Sequence, residues 1–349
     1  ACTAMFSRSR GIRLGEPGNL TVLGAGMSGE SVQFGTYPFG TEVVRRTDFT
    51  QTDPASPAQI QEVAPQVQER TASRVNFFLG QRNLRFVQRR GLDALKGIQD
   101  IQVGTEIFVG IGRTLDVTGE GGVDLPDDLH TQLSLFVGGA WEEWTLNAQG
   151  RVEARQTYPS GSMGKDWKDV FGEADAYFYW QPAAQPEHTV LFRISAAGGW
   201  EVETPFQLTL GGPEAVRGYR EEEFPGAQRV VFTWEDRFYL AWPAPELFDF
   251  GLSVFLDMGH IQPGDVPFGV KPGWRSSLGL GVRFGLPPGT RTMTRVDLAL
   301  PLKSRVQLKD LVLRLSLKEV LGLLPGVRDA QLIRSLRSGV RPSVIALPW

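Results

Sequence analysis

Five consecutive segments in the last third of the chain alternate strictly between apolar and polar residues, and no other feature constrains the fold as much. In residues 229–240 one face reads Val230, Phe232, Trp234, Phe238 and Leu240, and the other reads Arg229, Thr233, Glu235, Arg237 and Tyr239. Asp236 is the one charge on the apolar side. Leu252, Val254, Leu256 and Met258 oppose Ser253, Phe255, Asp257 and Gly259, while Leu278, Leu280, Val282 and Phe284 oppose Ser277, Gly279, Gly281 and Arg283. Val296, Leu298 and Leu300 oppose Arg295, Asp297 and Ala299, and Leu311, Leu313, Leu315 and Leu317 oppose Arg314, Ser316 and Lys318. Successive side chains of a strand point to opposite faces, so a period of two means strands with one apolar and one polar face. The same alternation recurs near 102–111, 130–140, 144–155, 173–180 and 189–195. It is weaker near 8–14, 18–25, 30–37, 41–49, 74–80 and 83–90.

Together these segments predict an all-β chain of about 15 or 16 strands. Sixteen strand-and-turn units would take about 22 residues each, room for a membrane-spanning strand of roughly 9 to 11 residues and a connection. A soluble β-sandwich, barrel or propeller alternates too, so the period alone does not separate water from lipid. Three features favour a membrane barrel with a lumen. The polar faces carry Arg, Glu and Asp at mid-strand, most apolar faces carry no charge, and Trp141, Trp144, Trp180, Trp234 and Trp242 gather towards predicted strand ends as an interfacial girdle would. Glycine, 41 of 349 residues, is spread among the strands rather than confined to a linker, which argues for one domain. No run of eighteen apolar residues predicts a transmembrane helix. The first thirty residues lack a compact apolar signal region and the chain begins at Ala1, the expectation for a processed chain or a fragment.

The predicted barrel spans residues 1–318, with a long polar loop over 51–72, rich in Gln and Glu and holding Pro54, Pro57 and Pro65, and a longer connection over 201–228. From Glu319 the alternation stops. Residues 319–349 read as an amphipathic tail of helical period with Arg328, Arg334 and Arg337, broken at Pro325 and Gly326. Four placements stay open for it: on the inner membrane interface, in the lumen, docked to a partner, or covering the barrel end.

Chemistry has little to use. One cysteine, Cys2, and three well-separated histidines, His130, His188 and His260, give no metal site, and no cofactor is expected. There is no Gly-x-Ser-x-Gly elbow and no Walker loop; Gly24, Gly26 and Gly29 read as turn glycines, and His260 as a loop residue. No catalytic residue is assigned. A net charge of −3 gives no overall reason to expect nucleic acid.

The connection 201–228 holds Leu210, Gly211 and Gly212, then Val216, Arg217, Gly218 and Tyr219. With Glu235 and Arg237 in the next strand, Phe255, Asp257 and Gly259 in the one after, Ser277, Gly279, Gly281 and Arg283, and Arg295, Val296, Asp297 and Pro301, it resembles the bacterial surface antigen family of BamA- and TamA-like outer-membrane assembly factors. The order and spacing match over about residues 100 to 318. The resemblance implies a sixteen-stranded barrel in the bacterial outer membrane whose sixth extracellular loop folds into the lumen. The latch would be Val216, Arg217, Gly218 and Tyr219, and its lumen-wall partners Glu235, Arg237 and Asp257. The residues supply a reason of their own, because Glu235 and Asp257 lie on the polar faces of the two strands after the loop, and an arginine fork binds carboxylates bidentately and stays charged. Gly218 would permit close backbone approach, and Tyr219 would bury its ring with a wet hydroxyl.

Two functions follow. The resemblance implies insertion or translocation of polypeptides, with outer-membrane lipid and unfolded outer-membrane or secreted polypeptides as partners. The family's assembly factors carry periplasmic POTRA repeats, and none is read ahead of the first strands here. The alternative is a lone gated pore or a membrane anchor for a partner complex, in which inward residues of both signs predict weak ion selectivity.

Overall fold

The computed structural model describes residues 2–33, 42–44, 52–63, 70–115, 128–158, 166–185, 187–204, 206–221, 223–303 and 307–319. In chain order the strands are β1 (Cys2–Glu16), β2 (Asn19–Gln33), β3 (Glu42–Val44), β4 (Thr52–Pro54), β5 (Arg70–Arg89), β6 (Gln99–Thr114), β7 (Asp128–Ala140), β8 (Trp144–Thr157) and β9 (Asp166–Trp180). They continue with β10 (His188–Trp200), β11 (Leu208–Thr209), β12 (Pro225–Gly226), β13 (Gln228–Leu240), β14 (Asp249–Gln262), β15 (Arg275–Gly285), β16 (Thr292–Pro301) and β17 (Val312–Glu319), with a helix, α1 (Pro57–Val63), before β5. Thirteen of them form one antiparallel sheet in the order β1-β2-β5-β6-β7-β8-β9-β10-β13-β14-β15-β16-β17, while β3 pairs with β4 and β11 with β12.

The five segments of strongest alternation are β13 to β17. Weaker segments fuse: 19–25 and 30–33 belong to the single strand β2, with 34–37 outside the described residues, and 74–80 and 83–89 to the 20-residue β5. Gly24, Gly26 and Gly29 therefore sit within a strand, not a turn. Their missing side chains make room, since a Cβ on Gly24 would lie 2.3 Å from Cζ of Phe78. His260 likewise stands inside β14, its ring 5.2 Å from that of Trp274. Trp141, Trp144, Trp180 and Trp242 lie at one end of the wall, but Trp234 is in the middle of β13, because the lipid-facing row accepts aromatic residues at any depth. The tail from residue 320 onward lies outside the described residues, as do 51 and 64–69 of the predicted polar loop, whose described part carries β4, α1 and the first residues of β5.

The wall is inside out relative to a soluble protein. Leu280 is 61% exposed and Leu313 71%, whereas Arg283 and Glu235 are each 1% exposed and Asp257 is fully buried. Water would reverse that assignment; a lipid-facing exterior and a polar interior require it. The sheet also curls. The β5–β6 connection touches β13, five to six places along the sheet, where a flat arrangement at about 4.8 Å per strand would hold the two roughly 24 to 29 Å apart. Long connections such as 201–227 leave one end of the wall, and short ones at 17–18, 141–143 and 286–291 close the other.

Candidate functional site: a lumen loop and its carboxylate wall

Residues 201–227 leave β10, fold inside the sheet and return to β13. Their apolar side chains form the base of the loop: Leu208, Leu210 and Val216 are fully buried with Ile261 of β14, and Phe206 meets Phe171 of β9 edge-on at 5.1 Å. Gly211 and Gly212 bring the chain round so that Val216 N–H donates to the Leu210 carbonyl at 3.0 Å. A Cβ on Gly211 would lie 1.9 Å from the Arg220 carbonyl oxygen, so no larger residue fits. Gly259 of β14 serves the same end from the wall, since its Cβ would meet Leu210 and Val216.

This base presents Arg217 to the carboxylates. Its Nε and Nη2 donate to the two oxygens of Asp257 at 2.7 and 2.8 Å, its Nη1 donates to Glu235 at 3.0 Å, and its backbone N–H also reaches Asp257 at 3.2 Å. Asp297 completes the ring of acids at 3.6 Å. The guanidinium carbon sits 3.4 Å from the centre of the Phe255 ring, a cation–π contact in a buried setting. Gly279 makes that ring position possible, because a Cβ there would lie 2.1 Å from the ring of Phe255. Burial by itself would lower the pKa of Arg217, but Asp257, Glu235 and Asp297 outweigh it and the pKa lies above the ordinary arginine value.

The rest of the motif seats the loop. Gly218 N–H donates to Ser277 Oγ at 3.1 Å, and a Cβ at 218 would lie 2.5 Å from Cβ of Ser277. Val216 fills the base. Tyr219 packs edge-on against Phe224 at 5.4 Å, and its hydroxyl lies 3.5 Å from the Ser276 carbonyl. Arg314 of β17 closes over the top, donating to the carbonyls of Arg217, at 2.9 Å, and Tyr219.

Arg237 stands one step back. It does not touch Arg217; its Nε donates to Glu235 at 3.0 Å. Glu235 is the common acceptor of the wall, held also by Arg283 and by Arg295 at 3.1 Å. The sequence placed Arg283, Arg295 and Asp297 on inward rows without joining them to the loop. Phe255 and Arg314 were legible as lumen-facing positions, but their roles depend on how the sheet curls.

A second group of buried charges lies across β5 to β9. Arg74 donates twice to Asp128 at 3.1 Å, and Arg155 donates to Asp169 at 2.9 Å and to Glu203 at 2.6 Å. Asp169 is brought there by a bulge, where the register passes from Glu153↔Phe171 to Arg155↔Lys168 and Asp169 adopts a φ of 46°.

No curated protein and no solved structure matches the chain. A family model, that of the Omp85 superfamily domain, matches residues 171–316. Proteins of this superfamily, to which BamA and TamA belong, are outer-membrane β-barrels that act without enzymatic chemistry in the assembly or translocation of polypeptides. The matched span runs from β9 into β17 and contains the whole loop, the carboxylates that hold it and the arginines around Glu235, so this part of the chain is similar to an Omp85 superfamily domain.

Proposed function

We propose that this protein is an outer-membrane barrel that inserts or translocates polypeptides, with residues 216–219 as the latch of its lumen loop and Glu235, Asp257 and, through Glu235, Arg237 as the wall that holds it. The observation that carries this reading is the bidentate fork of Arg217 on Asp257, buried over Phe255 inside a wall whose outside is apolar. A buried ion pair is a costly way to gain stability, since desolvation offsets much of the attraction. It is a good way to fix one loop position in a water-lined lumen. Its partners are lipid and unfolded outer-membrane or secreted polypeptides, and the tail from Glu319 is a candidate docking segment for a further protein.

The test is reconstitution into liposomes with an unfolded outer-membrane β-barrel as client. The protein should raise the yield of folded, protease-resistant client several-fold over empty liposomes, and Arg217→Ala should remove most of the gain. No gain with the unaltered protein defeats the assembly reading. A second reading, a lone gated pore or a membrane anchor, is favoured by the cavity of about 750 Å³ between Glu235, Arg283, Arg193 and Arg314. Its mixed charges predict weak ion selectivity in planar bilayers, so strong anion or cation preference counts against it.

A further inference from the structure

The connection between β5 and β6 is longer than its hairpin needs. Arg89 pairs with Gln99 as the last rung, so a two-residue turn would close the ladder, as residues 17 and 18 close that of β1 and β2. Nine residues, 90–98, stand there instead, and they fold inward over the lumen-facing ends of distant strands. Thr189 of β10 donates to the Gly91 carbonyl at 2.7 Å, and Tyr239 of β13 donates to that of Leu92 at 3.0 Å. Tyr179 of β9 donates to Asp93 at 3.0 Å, and Arg237 donates to Asp93 at 3.0 Å and to the Leu92 carbonyl. Leu92 is fully buried, and Leu95 packs with Tyr239 and Met293 of β16. Gln99 holds the segment's own shape by accepting from the N–H groups of Asp93 and Ala94 at 2.9 and 3.0 Å. The segment therefore spans the short-turn end of the lumen from β5 to β16, opposite the end from which the latched loop enters.

We propose that residues 90–98 are a second closure of the lumen, a plug at the short-turn end pinned by Arg237 and Tyr179 on Asp93. Arg237 then has two duties: its Nε orders Glu235 behind the latch, and its Nη1 holds the plug. Two closures in series sit above and below the central cavity, and a passage through the barrel needs both to move. This inference rests on the membrane-barrel reading but not on the identity of the client.

Bilayer conductance separates the two closures. The test compares Arg217→Ala with a chain that carries Arg217→Ala and has residues 90–98 replaced by an Asn-Gly turn, which keeps the β5–β6 register. Membrane insertion of each is checked by heat-modifiable gel migration. Several-fold greater conductance in the second supports the plug; equal conductance in two inserted proteins overturns it. Failure of the unaltered protein to insert defeats the barrel reading instead. A second measurement leaves the latch intact: with Cys2→Ser and Leu92→Cys, a hydrophilic maleimide should label the inserted protein slowly, and Asp93→Asn should speed labelling several-fold. Labelling of Leu92→Cys at the rate of an exposed thiol overturns the plug.

Discussion

Two buried ion pairs face the same lumen, Arg74–Asp128 and Arg217–Asp257, and they differ in what the arginine holds, although beside the first pair Arg155 also reaches Glu203 of the lumen loop. On the β5 to β9 side, Arg74 and Asp128 belong to wall strands, and the pair fastens neighbouring parts of one sheet. On the β13 to β17 side, Arg217 comes from a loop and reaches Asp257, forty residues further along the chain. The chemistry is alike, a guanidinium fork on a carboxylate, but the consequence is not. Breaking a wall-to-wall pair loosens strand pairing, whereas breaking the loop-to-wall pair frees a segment that the barrel does not need for its own hydrogen-bond ladder. Residue type therefore sets the strength of a lumen ion pair, and the element that carries it decides what the pair controls.

The sharpest way to break this comparison is to remove the acceptor that the latch side shares. Glu235→Ala leaves Arg217, Arg237, Arg283 and Arg295 without their common carboxylate and should cost about 3–5 kcal/mol, the range for breaking a buried pair on one side only. The midpoint of heat-modifiable gel migration should fall accordingly; an unchanged midpoint would show that water replaces the carboxylate. Arg217→Ala should cost less, about 2–3 kcal/mol, since Asp257 and Glu235 keep other donors or gain water. It should also make the loop near residues 213–224 cleavable by protease. Arg217→Lys should fall between, because an ammonium keeps the charge but cannot reproduce the fork. If the Arg217→Ala loop stays as resistant as the unaltered one, the latch reading is wrong.

Arg74→Ala sharpens the contrast from the other side. It should cost about 2 kcal/mol for the lost charge-assisted hydrogen bonds yet leave the loop protected. Equal loop cleavage in Arg74→Ala and Arg217→Ala would erase the distinction between the pairs. The smallest effect belongs to Gly218→Ala, where a methyl group 2.5 Å from Ser277 and 3.0 Å from the Pro301 nitrogen must push the loop from its seat. Overpacking of this kind costs about 1–2 kcal/mol, and partial protease sensitivity should accompany it.

Much of this was legible before any coordinates. Strands β13 to β17 follow the alternation residue by residue, because a wall between lipid and water forces every side chain to one side or the other. The N-terminal strands are harder: Gly24, Gly26 and Gly29 look like turn residues and divide β2, and nothing local says that Phe78 needs the space above a glycine. Trp234 was assigned to an interfacial girdle although it lies mid-wall, since one sequence gives the face of an aromatic but not its depth. Arg237 was joined to the latch directly, while in the structure it acts through Glu235 and reaches the 90–98 segment. That segment carries no motif. Its length beyond the need of a hairpin is the only signal, and reading it requires the register of β5 with β6.

By itself the sequence determined the period of two, the sign of each face, and therefore which residues meet lipid and which meet the lumen. It also determined that an arginine in a long connection would have carboxylates on the following two strands to choose from. Only the tertiary structure decided which ones it takes, that Phe255 lies beneath it, that Arg314 closes above it, and that residues 90–98 reach across to Arg237. The reason is physical. Facing is a local property, fixed by alternation along one strand, whereas these contacts join strands up to six places apart and exist only because the sheet curls.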